Sequence, residues 1–244
     1  YDLIGVVGGD GTVHEAVNGM LERSDGRRVP LGLLPTGTGN TVHADLGCAE
    51  LNTSVRWIVE ETTMEIDVAE VRCGDVTSYC VNIVGWGAVA DVNRLAERLR
   101  FLGKSRYAVA AACHIARPQP LRARLTLDDE TLDGEFLFVI ACNTRTTGAG
   151  MRVAPAAQLS DGKFDVVVCR PMSRIRLLQV FLRVFSGAHV GMEGVVYRQV
   201  TRFSWDGEPG SWLNLDGELR SAAPVVAVVR PRALQVYGKA NACS

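Results

Sequence analysis

An apolar run, Leu3, Ile4, Val6 and Val7, stops at Gly8-Gly9-Asp10-Gly11-Thr12 and gives way to a helical pattern from about Val13. A strand that turns through glycines into a helix leaves few folds open. The glycines admit positive φ and close approach, and the first N–H groups of the helix point back at the turn. Such a turn binds anions. Asp10 sets a carboxylate beside that anion, which is unfavourable unless it holds a cation or takes a proton, so the turn points to phosphoryl transfer. A glycine turn with an aspartate helix cap is the plain structural alternative.

A second strand-to-glycine turn follows closely, Leu31-Gly32-Leu33-Leu34-Pro35 running into Thr36-Gly37-Thr38-Gly39-Asn40. In a parallel α/β sheet the carboxyl ends of neighbouring strands share one edge, so both loops can line one phosphate site. The familiar nucleotide signatures do not fit. A dinucleotide fingerprint needs a third glycine where His14 or Val42 stands, and no Gly-Lys-Ser/Thr makes a P-loop.

The pattern predicts an α/β unit over residues 1–62: strand Leu3 to Val7, helix Val13 to Leu21, strand Leu31 to Leu34, and helical segments from Thr41 to Glu61. From about Met64 the texture changes to short strands. These are Glu65 to Arg72, Thr77 to Val84, Arg122 to Leu127, Glu135 to Ala141, Lys163 to Arg170, Arg198 to Trp205, Trp212 to Leu215, Val225 to Arg230 and Ala233 to Tyr237. Such spacing predicts an antiparallel sandwich over residues 63–238, interrupted by helical inserts Asp91 to Ala116 and Met172 to Phe185, with 239–244 as a tail. The 244 residues, 47% of them apolar, suffice for two cores.

A net charge of −1 supplies no field for nucleic acid, so none is expected as a partner. Seven scattered cysteines form no metal-spaced pairs, which predicts free thiols, a reducing cytoplasmic setting and no structural zinc. No apolar run reaches membrane-spanning length.

Gly9-Asp10-Gly11 with Val13-His14-Glu15-Ala16-Val17-Asn18-Gly19 resembles the diacylglycerol kinase catalytic family's Gly-Asp-Gly-x-x-His-Glu-x-x-Asn-Gly, and Leu34 to Asn40 resembles its second nucleotide loop. Gly85 to Val92, then Arg100 to Tyr107, is similar to a sphingosine-kinase-like segment, and Leu215-Asp216-Gly217-Glu218 to the family's Asp-Gly-Glu element. The resemblance implies an α/β N-terminal domain with a Rossmann-like parallel sheet, of NAD kinase or diacylglycerol kinase type, and a β-sandwich second domain. Tyr1 falls inside the family's first domain, so its earlier Asn-Pro-x-x-Gly loop is expected to be missing.

The implied activity is ATP- and Mg²⁺-dependent phosphorylation of a primary hydroxyl on a sphingoid base, ceramide or diacylglycerol, by a cytoplasmic enzyme that contacts membranes peripherally for its substrate. Gly8, Gly9, Gly11, Thr12, Glu15, Gly37, Thr38, Gly39, Asn40, Arg100, Arg106, Gly217 and Glu218 fall at nucleotide positions; Asp10 and Asp216 are rival general bases, and Asp216 and Glu218 are metal candidates. Asp206-Gly207-Glu208 has the same composition but reads as a loop before Pro209-Gly210. Asp91, Asn93 and Val89 are the substrate-binding candidates, with Asp91 and Asn93 at the lipid head group. Asn93 replaces an acid there, and a neutral amide cannot pair with an ammonium, which favours an uncharged acceptor. An acyl slot is expected among Val89, Val92, Leu95, Leu99, Leu102, Val109 and Ile115. The amphipathic run from Ile175 to Phe185, with Arg174, Arg176 and Arg183, suits an anionic bilayer or packing on the sandwich. Two other classes stay open: an NAD kinase, which shares the Gly-Gly-Asp-Gly turn, and a non-catalytic nucleotide- or lipid-binding module.

Overall fold

The computed structural model describes residues 1–207, 210–221 and 224–239, apart from the side chains of Arg100, Lys104 and Ala149. Glu208 and Pro209, and the tail beyond 239, lie outside the described residues. β1 (Ile4–Gly8) and β2 (Leu31–Pro35) run parallel, linked through α1 (Asp10–Leu21). Val13, Val17 and Met20 recur at helical spacing on α1 and are buried against Val6, Leu31 and Leu33. α2 (Thr41–Asp45) and α3 (Leu51–Val59) follow within the range expected for helical segments, separated where Gly47 turns the chain with φ +67°.

The rest of the chain alternates between two sheets. β3 (Thr63–Cys73), β4 (Val76–Cys80), β6 (Leu121–Leu127), β7 (Glu130–Phe136), β11 (Arg202–Gly207) and β14 (Val225–Tyr237) join β1 and β2 in an eight-stranded sheet. A second sheet of six strands contains β5 (Ile83–Gly87), β8 (Phe138–Cys142), β9 (Phe164–Cys169), β10 (Val195–Val200), β12 (Trp212–Leu215) and β13 (Glu218–Ser221). Its order is β10-β9-β8-β5-β12-β13, antiparallel throughout. Trp86, Phe136, Phe164, Phe203 and Trp205 fill the space between the sheets. The outer face of the second sheet is covered by α4 (Ala88–Arg98) and α6 (Arg174–Val184), so β5 and β9 are buried along their whole lengths.

β14 ties the two cores together. It pairs with β3 along most of its length, with β11 at its start, and with β2 in parallel at Val236 and Leu31. The two separate strands expected here are one, offset between Arg230 and Leu234. Pro231 has no N–H for a ladder and Arg232 takes φ +51°, so the irregularity falls where the sequence demands it.

Four other expectations need correction. The run Thr77 to Val84 is two strands in different sheets, β4 and β5, with the crossing at Val81 and Asn82. The insert Asp91 to Ala116 is α4, a short 3₁₀ stretch over Arg100–Ser105 and α5 (Arg106–Ala116), broken where Gly103 adopts φ +57°. Glu135 to Ala141 and Arg198 to Trp205 each divide into two strands, since neither alternation shows a change of sheet.

Candidate active site

The two glycine loops are in contact. A Cβ on Gly9 would lie 2.5 Å from the Gly39 carbonyl oxygen, and one on Gly37 would lie 2.4 Å from the Gly9 Cα, so only glycine lets the loops close on each other. Backbone bonds stitch them: the Asp10 N–H donates to the Gly39 carbonyl at 3.0 Å and that of Thr36 to Gly8 at 3.2 Å. Gly8 is needed because Thr12 folds back onto it, 2.3 Å from where a Cβ would sit. Gly11, Thr12, Thr38 and Gly39 are exposed, and no side chain of its N-cap residue caps α1. The start of that helix therefore presents N–H groups and positive dipole to a solvent-facing rim, an arrangement that fits a phosphate. Asn40 adds a buried amide oxygen without a partner among the described residues. Glu15 points outward one turn along the helix.

Asp10 is more constrained than a free base would be. Its carboxylate accepts from the Thr41 N–H at 2.8 Å and the Val42 N–H at 3.2 Å, capping α2 across the loops. Both of its oxygens face backbone donors. The plain cap and the anion-site readings thus share one residue, since Asp10 holds the second loop against the first.

Asp216 is brought to α1, as its expected part in the site requires, but in a different capacity. It is 5% exposed and sits at the tip of the β12–β13 hairpin, where Asp216 and Gly217 take φ +54° and +107°, the left-handed geometry of a two-residue turn. Its Oδ1 accepts from the N–H groups of Asn82 (2.9 Å) and Ile83 (2.8 Å). Its Oδ2 accepts from the Val81 N–H (2.9 Å) and contacts His14 Nδ1 (3.1 Å). These are the amides left unpaired where the chain leaves one sheet for the other, and the carboxylate satisfies them. With four donors around it, Asp216 is engaged as a buried anchor, a part in the fold that its reading as metal ligand or base did not foresee.

The anchor fixes its neighbours. Burial pulls the His14 imidazole down, but the hydrogen bond and charge of Asp216, with Glu218 behind it, outweigh burial and leave its pKa above the ordinary value. Asn18, one turn further along α1, exchanges two 2.8 Å bonds with the Tyr79 backbone, standing in for a neighbouring strand at the edge of β4. Glu218 begins β13 with its side chain exposed, close enough to influence His14. It is the open carboxylate at this end of the hairpin. Arg220, which sequence reasoning passed over, is also felt at His14. Its signal was only its place two residues beyond Glu218 on the same strand face.

The head-group residues divide. Asn93 is buried and donates from Nδ2 to the Gly217 carbonyl at 2.7 Å, so it holds the hairpin, a contact that its head-group reading did not foresee. Asp91 is half-buried with Arg94 at 3.3 Å. Val89 packs into the core beneath the second sheet. The space between α4 and α5 is a cavity of about 230 Å³ lined by Asp91, Arg94, Leu95, Arg98, His114 and Arg117 among others. Charged groups dominate it. Of the residues expected to line an acyl slot, Leu95 borders this cavity and Ile115 packs against Leu137 and Leu177. Arg106 lies over the Tyr107 ring at 4.9 Å, with Glu97 at 3.6 Å. The Arg100 side chain lies outside the described residues.

Among the described residues His14, Cys80 and Asp216 bring one donor atom each within 4.8 Å of one another. This trio does not suit Mg²⁺, which prefers oxygens and retained water. Burial pushes the Cys80 thiol well up, and Asp216 would have to surrender amide bonds.

Comparison with known proteins identifies the family and the fold. The diacylglycerol kinase catalytic domain matches residues 1–71, and the YegS C-terminal NAD kinase β-sandwich-like domain matches residues 82–238. A diacylglycerol kinase of Mycobacterium tuberculosis is 31% identical over 240 residues, covering 96% of this chain and 76% of that protein. Sphingosine kinase 2 of Arabidopsis thaliana is 26% identical over 298 residues, covering 98% of this chain and 61% of its own length. Among solved structures, a diacylglycerol kinase of Bacillus anthracis superposes with TM-score 0.72 at 18% identity, over 98% of this chain and 76% of the other. An NAD kinase of Archaeoglobus fulgidus in complex with ATP reaches 0.50 at 13% identity over 98% and 78%, a likeness of fold alone. With glycine loops, anchored hairpin and both halves of the chain matched in order, the protein belongs to the diacylglycerol kinase family of lipid kinases.

Proposed function

We propose that the protein transfers the γ-phosphate of ATP to the primary hydroxyl of an uncharged lipid, diacylglycerol first among them. The observation that carries this reading is the 3.1 Å contact of Asp216 with His14, which holds Glu218 near the helix that starts at the first glycine loop. The N–H groups at that helix start bind phosphate oxygens, and the interlocked glycines keep the rim free of side chains so that the nucleotide can approach the backbone. Glu218 receives the proton of the lipid hydroxyl, because it is exposed where Asp216 is enclosed and Asp10 is engaged by α2. Its carboxylate also suits Mg²⁺, which supplies charge neutralisation at the phosphates when bound. The preference for an uncharged lipid rests on Asp91 being paired with Arg94 and Asn93 being turned to Gly217, which leaves neither for an ammonium group. The names of the bacterial relatives support the same choice.

Labelled ATP offered with diacylglycerol, ceramide, sphingosine and NAD in detergent micelles tests it. Label in diacylglycerol supports the proposal. Label only in NAD, or in no acceptor, overturns it, and label chiefly in sphingosine overturns the head-group argument.

A further inference from the structure

α6 carries two apolar stripes where a helix packed on a sheet needs one. Leu177, Val180 and Val184 are buried against the second sheet, as the 3.6-residue repeat requires. Ile175, Leu178, Leu182 and Phe185 form a second line at spacings of three and four residues, and they face outward at 74%, 44%, 63% and 45% exposure. Solvent-facing positions of such a helix are ordinarily polar. Here the polar positions border the outer stripe: Arg174 lies along one edge, and Arg183 along the other with Arg176, which is paired with Glu193 at 2.9 Å. No acidic residue occurs between Arg174 and Val184.

We propose that this outer stripe of α6 is the surface by which the protein lies on an anionic lipid bilayer, with the helix in the plane of the interface. The four apolar side chains enter the acyl boundary, while Arg174 and Arg183 extend their charged ends to lipid phosphates and keep their stems against the stripe. Charge complementarity selects the bilayer over a second copy of the chain, because an isologous contact through this stripe would set arginine-bordered edges against each other. No helix among the described residues is long and apolar enough to cross a membrane, which agrees with an in-plane role for α6. The inference stands on the helix itself and deepens the lipid-kinase reading, since a diacylglycerol acceptor resides in such a bilayer.

The test is co-sedimentation of the full chain with phosphatidylcholine vesicles, with and without phosphatidylglycerol, alongside phosphorylation of short-chain diacylglycerol in detergent micelles. The Leu178→Asp/Leu182→Asp variant, altered only at exposed positions, is expected to lose vesicle binding by at least about tenfold while keeping the wild-type melting temperature and micellar turnover. Arg174→Gln/Arg183→Gln is expected to lose about fivefold per arginine on phosphatidylglycerol vesicles and little on neutral ones. Unchanged vesicle binding by the aspartate variant overturns the proposal. So does a dimer in light scattering that this variant dissociates, which would assign the stripe to a second copy. Vesicle binding without turnover of any lipid would uphold the docking surface and overturn the kinase reading, so the two can fail separately.

Discussion

His14, one turn into α1, and Asp216, at a hairpin tip 202 residues later in the chain, share a buried 3.1 Å contact. It joins the glycine-loop half of the molecule to the sandwich half at the point where the chain changes sheets. The carboxylate that makes it also holds three consecutive backbone N–H groups.

Asp216→Asn turns an NH₂ group toward donors that need acceptors. A loss of about 3 kcal/mol in unfolding free energy is expected, since breaking a buried, charge-assisted set leaves several groups unsatisfied. Glu218→Gln changes only an exposed side chain; its stability stays within about 0.5 kcal/mol, while kcat falls by roughly a hundredfold or more if Glu218 takes the proton. Urea denaturation and steady-state kinetics on the two variants separate anchor from base. A stable Asp216→Asn protein would refute the anchor, and near-normal turnover of Glu218→Gln would remove it from the chemistry.

The His14 pKa is raised by its partner, so the protonated imidazole binds more tightly in the folded state than in the unfolded chain. That stabilisation is complete below the unfolded value and is lost as pH rises through the folded one. The melting temperature of the wild type should therefore decline relative to His14→Gln as pH is raised from about 6 to about 8.5. Parallel curves from circular dichroism would show that no charge is linked to folding at this contact.

Asn93→Asp sets a carboxylate oxygen against the Gly217 carbonyl that Asn93 now donates to. A destabilisation of about 1 to 3 kcal/mol is expected, with no gain in turnover of sphingosine over diacylglycerol. A stable variant that turns to sphingosine would return this position to the head-group site.

Gly9→Ala and Gly37→Ala force a methyl group into the opposite loop at 2.5 and 2.4 Å, so each is expected to cost about 1 to 3 kcal/mol and to weaken ATP binding. Gly11 has nothing within 4 Å, and Gly11→Ala is the matched control for stability alone, unchanged or slightly higher, because Gly11 itself lies on the exposed rim. Calorimetry with ATP on the three variants reads both effects. Equal behaviour of all three would show that the loops do not rely on mutual contact.

The glycine loops were legible because glycine at Gly9 and Gly37 is demanded locally, by backbone meeting backbone. The strand Leu3 to Val7 and the helix after it followed from their two repeats, though α1 begins at Asp10, inside the turn. The change of sheet at Val81 was not legible, because apolar alternation continues through it and only the ladder partners change. Nor was the work of Asp216, whose partners are chiefly backbone N–H groups more than a hundred residues away. Residue type says nothing of such partners. Asn93 illustrates the same limit: as an amide it was read for what it cannot bind, whereas its N–H group is what the fold uses. β13 escaped notice altogether, being four residues with mixed polarity.

The continuous ribbon of β3 and β14 constrains how the molecule can move. Both cores are built on it, so the halves are not beads on a string, and a cleft between them cannot gape by bending a linker. The one articulation in that strut is the offset near Pro231, where Asp67 takes the N–H groups of Arg232 and Gly162 at 2.8 and 2.6 Å and so clasps the joint. Flexing there would have to loosen the clasp, since both oxygens of Asp67 are engaged at the joint.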